Sequence, residues 1–207
     1  MLQVKYISFF LATALIVACG TGNRNADKQI FRYNESAGIA SLDPAFAKDQ
    51  AMIWASQQLF NGLIQLDTAL AVQPAIAKRW EISDDGLTYT FILRRDVYFH
   101  RNACFPEGTR RVVASDFVYS FGRIVDEKVA SPGRWIFDNV QNIDGKYAFS
   151  APDDTTFVVT LKQPFAPFLG MLGMPYCSVV PHEAVEHYGA DFRQNPVGIG
   201  AVSVRMR

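Results

Sequence analysis

The pattern of apolar and polar residues predicts alternating helices and strands along most of the chain. Apolar side chains recur at helical spacing from about Lys48 to Phe60, which predicts an amphipathic helix. Two alternating segments, Trp80–Ser83 and Thr88–Arg94, flank Asp84-Asp85-Gly86, and this order predicts a hairpin whose turn uses the positive φ of glycine. Further helices are expected from Ser115-Asp116 to about Asp126, over 166–172 and over 181–188, and further strands over 30–33, from 62–64 and over 156–161.

These elements favour a mixed α/β or α+β domain. The chain has 207 residues, of which 49% are hydrophobic and 19% charged, a composition typical of a folded globular protein. Twenty Lys and Arg residues balance twenty Asp and Glu residues, so the formal net charge is zero. Binding of nucleic acid depends on neutralising many phosphates, and a nucleic-acid partner is therefore not expected.

The first 18 residues are arranged like a bacterial signal peptide. Lys5 provides the positive charge, and the apolar run from Ile7 to Val17 would extend about 16 Å as a helix, roughly half of a bilayer core. Ile16-Val17-Ala18-Cys19 resembles a lipobox, so we expect lipid modification of Cys19 and a polar tether over 19–29. The alternative is an ordinary secretory peptide, and both interpretations place the mature chain outside the cytoplasm.

Three features that suggest catalysis or cofactor binding do not meet the geometry such sites need. His182 and His187 are five residues apart, about 140° around a helix, whereas a zinc-binding pair needs i, i+4 spacing. Gly198-Ile199-Gly200 lacks the third glycine of a dinucleotide fingerprint. A lone His100 follows the strand-like Val97-Tyr98-Phe99, and a histidine in that position is far more often structural than catalytic. We therefore expect no enzyme activity, no cofactor and no metal site.

Cys104 and Cys177 are the two cysteines that remain if Cys19 carries a lipid. An oxidising envelope favours a disulfide between them. The bridge would close a loop of about 74 residues and stabilise the fold by about 4 kcal/mol. The alternative of two buried, unpaired thiols stays open, because the distance between them cannot be obtained from the sequence.

Several segments together resemble the peptide-binding proteins of ATP-binding-cassette (ABC) importers, the family 5 extracytoplasmic solute-binding proteins. The longest is 77–94, which contains the predicted hairpin, and it is followed by Val97–His100 and by the block from Ala114 to Arg123. Shorter matches run in the same order along the chain: Ser41-Leu42-Asp43-Pro44, Leu59–Leu63, Pro164-Phe165 and Val180-Pro181.

This resemblance implies part of a periplasmic-binding-protein type II-like fold. Residues 30–60 and 185–207 then correspond to part of the first α/β lobe, and 61–184 to the inserted extra domain. The chain is much shorter than the family's members, and Pro196-Val197-Gly198-Ile199-Gly200-Ala201 departs from the family's Pro-Val-Gly-Thr-Gly-Pro. We therefore expect a truncated product without the second lobe, which puts autonomous binding in doubt.

The resemblance also implies a function and a set of ligand contacts. A binding protein of this family holds peptides by their backbone in a cleft between lobes, and passes them to the permease subunits of the importer. The expected chain is a monomer, anchored through its lipid at the periplasmic or extracytoplasmic face of a membrane. The ligand contacts carried over from the family are Lys48, Asp49, Gln50, Asn61, Gly133 and Trp135.

Alternatives remain for both the function and the contacts. The ligand can be another solute, such as nickel, haem or a sugar, or the chain can be a structural lipoprotein without a binding function. Lys48 and Asp49 can simply cap a helix, and Trp135 can pack in the core.

Overall fold

The computed structural model describes residues 32–36 and 38–203. The chain divides into a first unit, Met1–Asn34, of which only residues 32–34 are described, and a second unit, Glu35–Arg207. The predicted signal peptide, Cys19 and the tether lie outside the described residues. So does half of the strand predicted over 30–33, and Arg32 and Tyr33 are not in a strand.

A four-stranded antiparallel sheet forms the centre of the second unit. Its first two strands are the predicted hairpin, which is confirmed, and Gly86 in the turn has a φ of +69°. Phe91 pairs with Trp80 on one side and with Phe157 on the other. In spatial order the strands are β3 (Ala77–Ile82), β4 (Thr88–Leu93), β8 (Thr156–Thr160) and β7 (Phe149–Asp153).

One helix, α2 (Ala114–Val125), packs its apolar stripe on this sheet. Phe117 and Phe121 are fully buried, and their rings lie 5.8 and 5.4 Å from the ring of Phe157. Each such ring contributes roughly 2 to 3 kcal/mol of burial energy. The helix begins before the predicted cap, because Asp116 lies inside the first turn, where its carboxylate accepts a hydrogen bond from the Val113 N–H at 2.9 Å.

The remaining elements are short. The predicted helix over 48–60 is confirmed as α1 (Gln50–Leu59), and the helix over 181–188 as α4 (His182–Tyr188), whereas the helix over 166–172 contracts to α3 (Phe168–Met171). Val97-Tyr98-Phe99 forms only an isolated bridge, from Tyr98 to Arg111. Two small hairpins and four 3₁₀ segments complete the described part: β1 (Ile64–Leu66) with β2 (Val72–Pro74), β5 (Asn142–Ile143) with β6 (Lys146–Tyr147), and Pro44–Phe46, Arg134–Phe137, Pro175–Cys177 and Gly189–Arg193.

Arg110 connects three separate parts of the second unit. Its guanidinium donates to both carboxylate oxygens of Asp116 at 2.8 and 2.7 Å, and also to both oxygens of Glu183 on α4. The same group lies 5.0 Å from the ring centre of Phe99. The start of α2, helix α4 and the loop after β4 are therefore held together by one cation.

The segment after Asn195 crosses the carboxyl end of α1 at very short range. The Gly200 N–H donates to Leu59 O at 2.8 Å, and the Val202 N–H donates to Gln58 O at 3.2 Å. A Cβ on Gly198 would lie 2.0 Å from Leu59 O, and one on Gly200 would lie 2.2 Å from Gln58 O. The two glycines of the Gly198-Ile199-Gly200 motif thus allow close contact between backbones, and His100 holds the segment through its ring, 2.8 Å from Gly200 O.

Cys104 and Cys177 are free thiols in the structure, which does not contain the disulfide favoured by the sequence. Cys104 lies in the loop held by Arg110, and its N–H donates to Asn102 Oδ1 at 2.9 Å. Cys177 is fully buried, and its Sγ lies 3.7 Å from Met171 O. Each thiol is therefore packed within its own local surroundings.

The two histidines of α4 have different neighbours. His182 packs edge-on against Tyr119 on α2, at 5.8 Å between ring centres, and His187 packs against Tyr188. No group of three or more His, Cys, Asp or Glu residues within 32–36 and 38–203 is arranged to hold a metal ion. None of the helices in these ranges is long and apolar enough to span a bilayer.

Candidate functional site

The loop that carries Lys48, Asp49 and Gln50 is fixed by an ion pair at its start. Arg123 on α2 donates to both oxygens of Asp43, at 2.7 and 3.2 Å, and both side chains are largely buried. Asp43 also accepts from the Ala45 N–H at 3.0 Å, which begins the 3₁₀ segment Pro44–Phe46. The ion pair between Arg123 and Asp43 therefore fixes the turn Pro44–Phe46 against α2, shortly before Lys48.

A single hydroxyl group links this turn to the loop that contains Gly133 and Trp135. Ser131 Oγ donates to Ala45 O at 2.6 Å and accepts from the Gly133 N–H at 3.1 Å. Ser131 is buried, so water does not compete strongly for these bonds. Two segments that are more than 80 residues apart in sequence are thus joined by one side chain.

Tyr176 fills the space above Gly133. An ideal Cβ on Gly133 would lie 2.4 Å from the Tyr176 ring, so the ring and any side chain at position 133 exclude each other. Burial raises the pKa of the Tyr176 phenol, and the nearby Asp49 carboxylate raises it further. Tyr176 therefore packs directly on Gly133, and we call the surface formed by 48–50, 133, 135 and 176 the rim.

The rim combines exposed polar groups with one large aromatic group. Lys48, Asp49 and Gln50 are exposed, and Trp135 is 50% exposed rather than packed in the core. Asp49 does cap α1, because its Oδ1 accepts from the Met52 N–H at 3.0 Å. Only one of its two carboxylate oxygens is used in this way. The helix cap and a free acceptor oxygen thus coexist in one side chain.

Asn61 lies at the opposite end of α1 from Asp49. It follows the carboxyl end of α1, and a ten-residue helix is about 15 Å long. Its backbone carbonyl accepts from the Val179 N–H at 3.0 Å, while its side chain is exposed. The structure therefore places Asn61 beside Val179 and separates it from Asp49 by the length of α1.

Two aromatic residues near the rim were missed by sequence reasoning. Trp54 is 49% exposed and lies with Gln50 and Gln57 on the face of α1 opposite its buried stripe. The helical spacing of the apolar residues in the sequence could therefore have predicted that this indole is exposed. Tyr176 gave no such signal, because its contact with Gly133 depends on tertiary packing between distant segments.

A surface depression of about 480 Å³ lies elsewhere, beside the β5–β6 hairpin. It is bordered by Ile143, Lys146 and Tyr147 among others, and by none of the residues proposed from the sequence. This depression therefore does not coincide with the rim.

The chain matches the model of the bacterial extracellular solute-binding proteins, family 5 Middle, over residues 71–203. It therefore belongs to this family of binding proteins. The match begins at the β1–β2 hairpin and includes the central sheet, α2 and the loop with Gly133 and Trp135.

Curated relatives add detail. The chain is 34% identical to the periplasmic oligopeptide-binding protein OppA of Salmonella typhimurium, over 94% of this chain and 38% of that protein. It is 35% identical to YgiS of Escherichia coli, described as a probable deoxycholate-binding periplasmic protein, over 79% of this chain and 31% of that one. The chain thus spans about a third of the length of these relatives.

Solved structures show the same partial coverage. Listeria monocytogenes OppA bound to peptide aligns with a TM-score of 0.74 and 29% identity, over 84% of this chain and 36% of that one. DppA from Helicobacter pylori in complex with the peptide STSA aligns with a TM-score of 0.69 and 29% identity, over 81% and 35%. The expected fold class, a mixed and partial periplasmic-binding-protein type, is confirmed.

Proposed function

We propose that this chain provides one wall of the peptide-binding cleft in the solute-binding component of an ABC importer. The observation that carries the proposal is the pair of Ser131 Oγ hydrogen bonds, which join the turn before Lys48 to the loop with Gly133 and Trp135, in a family whose members include peptide-bound OppA. A peptide offers backbone N–H and C=O groups in every sequence, and polar rim groups at fixed positions can bind them. Water can fill the space around variable side chains.

We further propose that the chain contains parts of two domains. Residues 30–60 and 185–207 belong to the first lobe, and 61–184 form the extra domain. The backbone hydrogen bonds from 199–202 to the end of α1 support the first grouping, because they join its two sequence segments. The sheet of β3, β4, β8 and β7, packed on α2, supports the second.

The same proposal places the protein on the outer face of a membrane, attached through a lipid on Cys19 and delivering its ligand to permease subunits. The lipobox-like Ile16–Cys19 supports the anchor, and the family supports the extracytoplasmic location. A lipid on this residue and the polar residues 20–29 would leave the rim free to reach the permease.

A second candidate ligand is an anionic amphiphile. The half-exposed indoles of Trp54 and Trp135 offer flat apolar surfaces, and Lys48 forms no ion pair with any residue within the described ranges. The E. coli relative described as probably deoxycholate-binding supports this choice of ligand class.

Isothermal titration calorimetry of the chain with tetra-alanine and, separately, with deoxycholate distinguishes the candidates. We expect heat of binding with tetra-alanine, and weaker binding in the Asp49→Ser variant. Serine keeps the cap of α1 but removes the second carboxylate oxygen. Asp153→Ser is the matched control, because it changes a carboxylate that accepts from the Thr155 N–H at 2.7 Å in the turn between β7 and β8. Binding of deoxycholate alone would support the second candidate, and binding of neither would contradict both.

A further inference from the structure

His100 binds the segment after Asn195 at two points. Its backbone N–H donates to Gly198 O at 2.8 Å, and its ring Nε2 lies 2.8 Å from Gly200 O. A carbonyl oxygen can only accept a hydrogen bond, so Nε2 carries a proton and donates it. Because the residue is half-buried, water competes less for this bond than it would at the surface.

The same segment binds the last carbonyl groups of α1. Leu59 O accepts from the Gly200 N–H at 2.8 Å, and Gln58 O accepts from the Val202 N–H at 3.2 Å. The last four carbonyl groups of a helix have no partner within it, and the segment supplies donors to two of them. Gly200 is therefore bonded on two sides, to α1 through its N–H and to His100 through its C=O.

The position of His100 is itself fixed by its neighbours. Phe99, the preceding residue, is buried and stacks on Phe105 with 5.9 Å between ring centres. The Phe99 N–H donates to Arg110 O at 3.0 Å, and Phe99 O accepts from Thr109 Oγ1 at 2.6 Å. His100 therefore connects the carboxyl end of α1 to the part of the molecule that Arg110 holds together.

Helix α1 is consequently held at both ends. The ion pair between Arg123 and Asp43 fixes the turn before its amino end, and the segment bound by His100 fixes its carboxyl end. A helix fixed at both ends cannot tilt about either of them. Gln50 and Trp54 lie one turn apart on the exposed face of α1, so the direction of the helix determines where the amide and the indole stand.

We propose that His100 is a positioning residue for the ligand. Through its hydrogen bond to Gly200 it fixes the direction of α1, and thereby the placement of Gln50 and Trp54 on the wall that faces the peptide. This inference rests on the proposed function and deepens it, because it assigns to a histidine that is isolated in the sequence an effect on binding that acts through α1.

The first test needs no ligand. A neutral hydrogen bond changes an equilibrium about five-fold, so His100→Leu should speed deuterium exchange of the Gly200 and Val202 N–H groups by about that factor. It should also shift the indole N–H resonance of Trp54. His100→Gln should restore both values, because its amide nitrogen reaches about as far from the backbone as Nε2. His100→Asn is one carbon shorter and should not restore them.

The second test is the affinity of the 207-residue chain, in detergent, for tetra-alanine. His100→Leu is expected to bind up to about five-fold more weakly, the full contribution of one neutral hydrogen bond. His100→Gln should bind like the wild type. His187→Leu is the matched control, because it removes an exposed imidazole from α4, where the ring packs against the neighbouring Tyr188.

Equal exchange at Gly200 and Val202 in the wild type and His100→Leu would overturn the inference. If His100→Leu does not fold, equal exchange in His100→Gln and His100→Asn would overturn it instead. An unchanged affinity in a variant whose Trp54 resonance has moved would also contradict it, while peptide binding stands. A wild-type chain that binds no tetra-alanine contradicts the proposed function itself, and the exchange rates still decide whether His100 fixes α1.

Discussion

At the scale of single residues, buried ion pairs determine how the loops near the rim are held. Arg123 positions the turn before Lys48 through Asp43, and Arg110 connects α2 to α4 through Asp116 and Glu183. The carboxylates are the less exposed partners, Asp116 at 3% and Asp43 at 6%, so water cannot easily solvate either of them if its arginine is removed. Removing either cation therefore leaves a charge that is costly to bury.

Arg110→Ala is expected to destabilise the protein by about 3 kcal/mol, because Asp116 is only 3% exposed and loses both of its bonds to the guanidinium. Arg94→Ala removes a similar bidentate pair, with Asp96, at the surface, where solvent screening leaves such pairs with little effect on stability. Urea denaturation of both variants measures the contrast. Equal effects would contradict the structural role of Arg110.

Glu183 makes the stability depend on pH. Burial acts to raise its pKa, but hydrogen bonds from Arg110 outweigh burial and hold the pKa below the ordinary value of 4.5. The ionised form therefore stabilises the fold above pH 4.5, and this contribution is lost as the pH falls through the lowered pKa.

The variant Glu183→Gln should accordingly be less stable than the wild type near neutral pH, and the gap should narrow as the pH falls to about 3. Urea denaturation over this range gives the difference directly. A gap that widens towards low pH would contradict the assigned sign.

The two thiols provide a separate test at this scale. Burial, with a smaller contribution from Glu183, raises the pKa of the Cys104 thiol to about 11, and burial also raises that of Cys177. In a Cys19→Ala variant both thiols should react slowly with a thiol reagent at about pH 8, because the thiolate is the reactive form. Unfolding without reductant should release two thiols. Finding none would support the disulfide instead.

At the scale of elements, helix α1 depends on the segment that crosses its carboxyl end. Gly198→Ala places a methyl group against the Leu59 carbonyl oxygen, which as backbone cannot move aside. We expect a loss of at least about 2 kcal/mol in the free energy of unfolding. Gly122→Ala on α2 meets no atom within 4 Å and should stabilise the helix by about 1 kcal/mol. Thermal unfolding followed by circular dichroism compares the two, and a neutral Gly198→Ala would show that the segment is not packed there.

The success of sequence reasoning also differs between elements. Helix α1 and the β3–β4 hairpin were predicted well, because apolar periodicity and turn residues act locally. The segment Val97–Phe99 was expected as a strand, but Phe99 instead stacks on Phe105 beneath Arg110, a tertiary contact without a local pattern. The contact between Tyr176 and Gly133 was invisible for the same reason.

At the scale of the whole molecule, the resemblance identified the family, but it did not show which of the proposed residues meet in space. Lys48, Asp49, Gln50, Gly133 and Trp135 were proposed from family motifs, and the structure gathers them through Ser131 and Tyr176. Asn61 was proposed in the same way and lies at the far end of α1. Sequence motifs therefore located the segments, while packing determined their arrangement.

The lipid anchor is a further whole-molecule expectation. If Cys19 is lipidated, the wild-type protein should partition into the detergent phase of a Triton X-114 extraction, and Cys19→Ala should move to the aqueous phase. Cys104→Ala is the matched control and should partition like the wild type. Unchanged partitioning of Cys19→Ala would contradict the anchor.

The central claim is that a peptide binds at the rim. Amide chemical shifts of the isotope-labelled chain, recorded during titration with tetra-alanine, test it most directly. The account predicts saturable shifts concentrated at 48–50, 131–135 and 174–177, with little change around the β5–β6 hairpin. Shifts centred on that hairpin, or none at saturating peptide, would contradict the account.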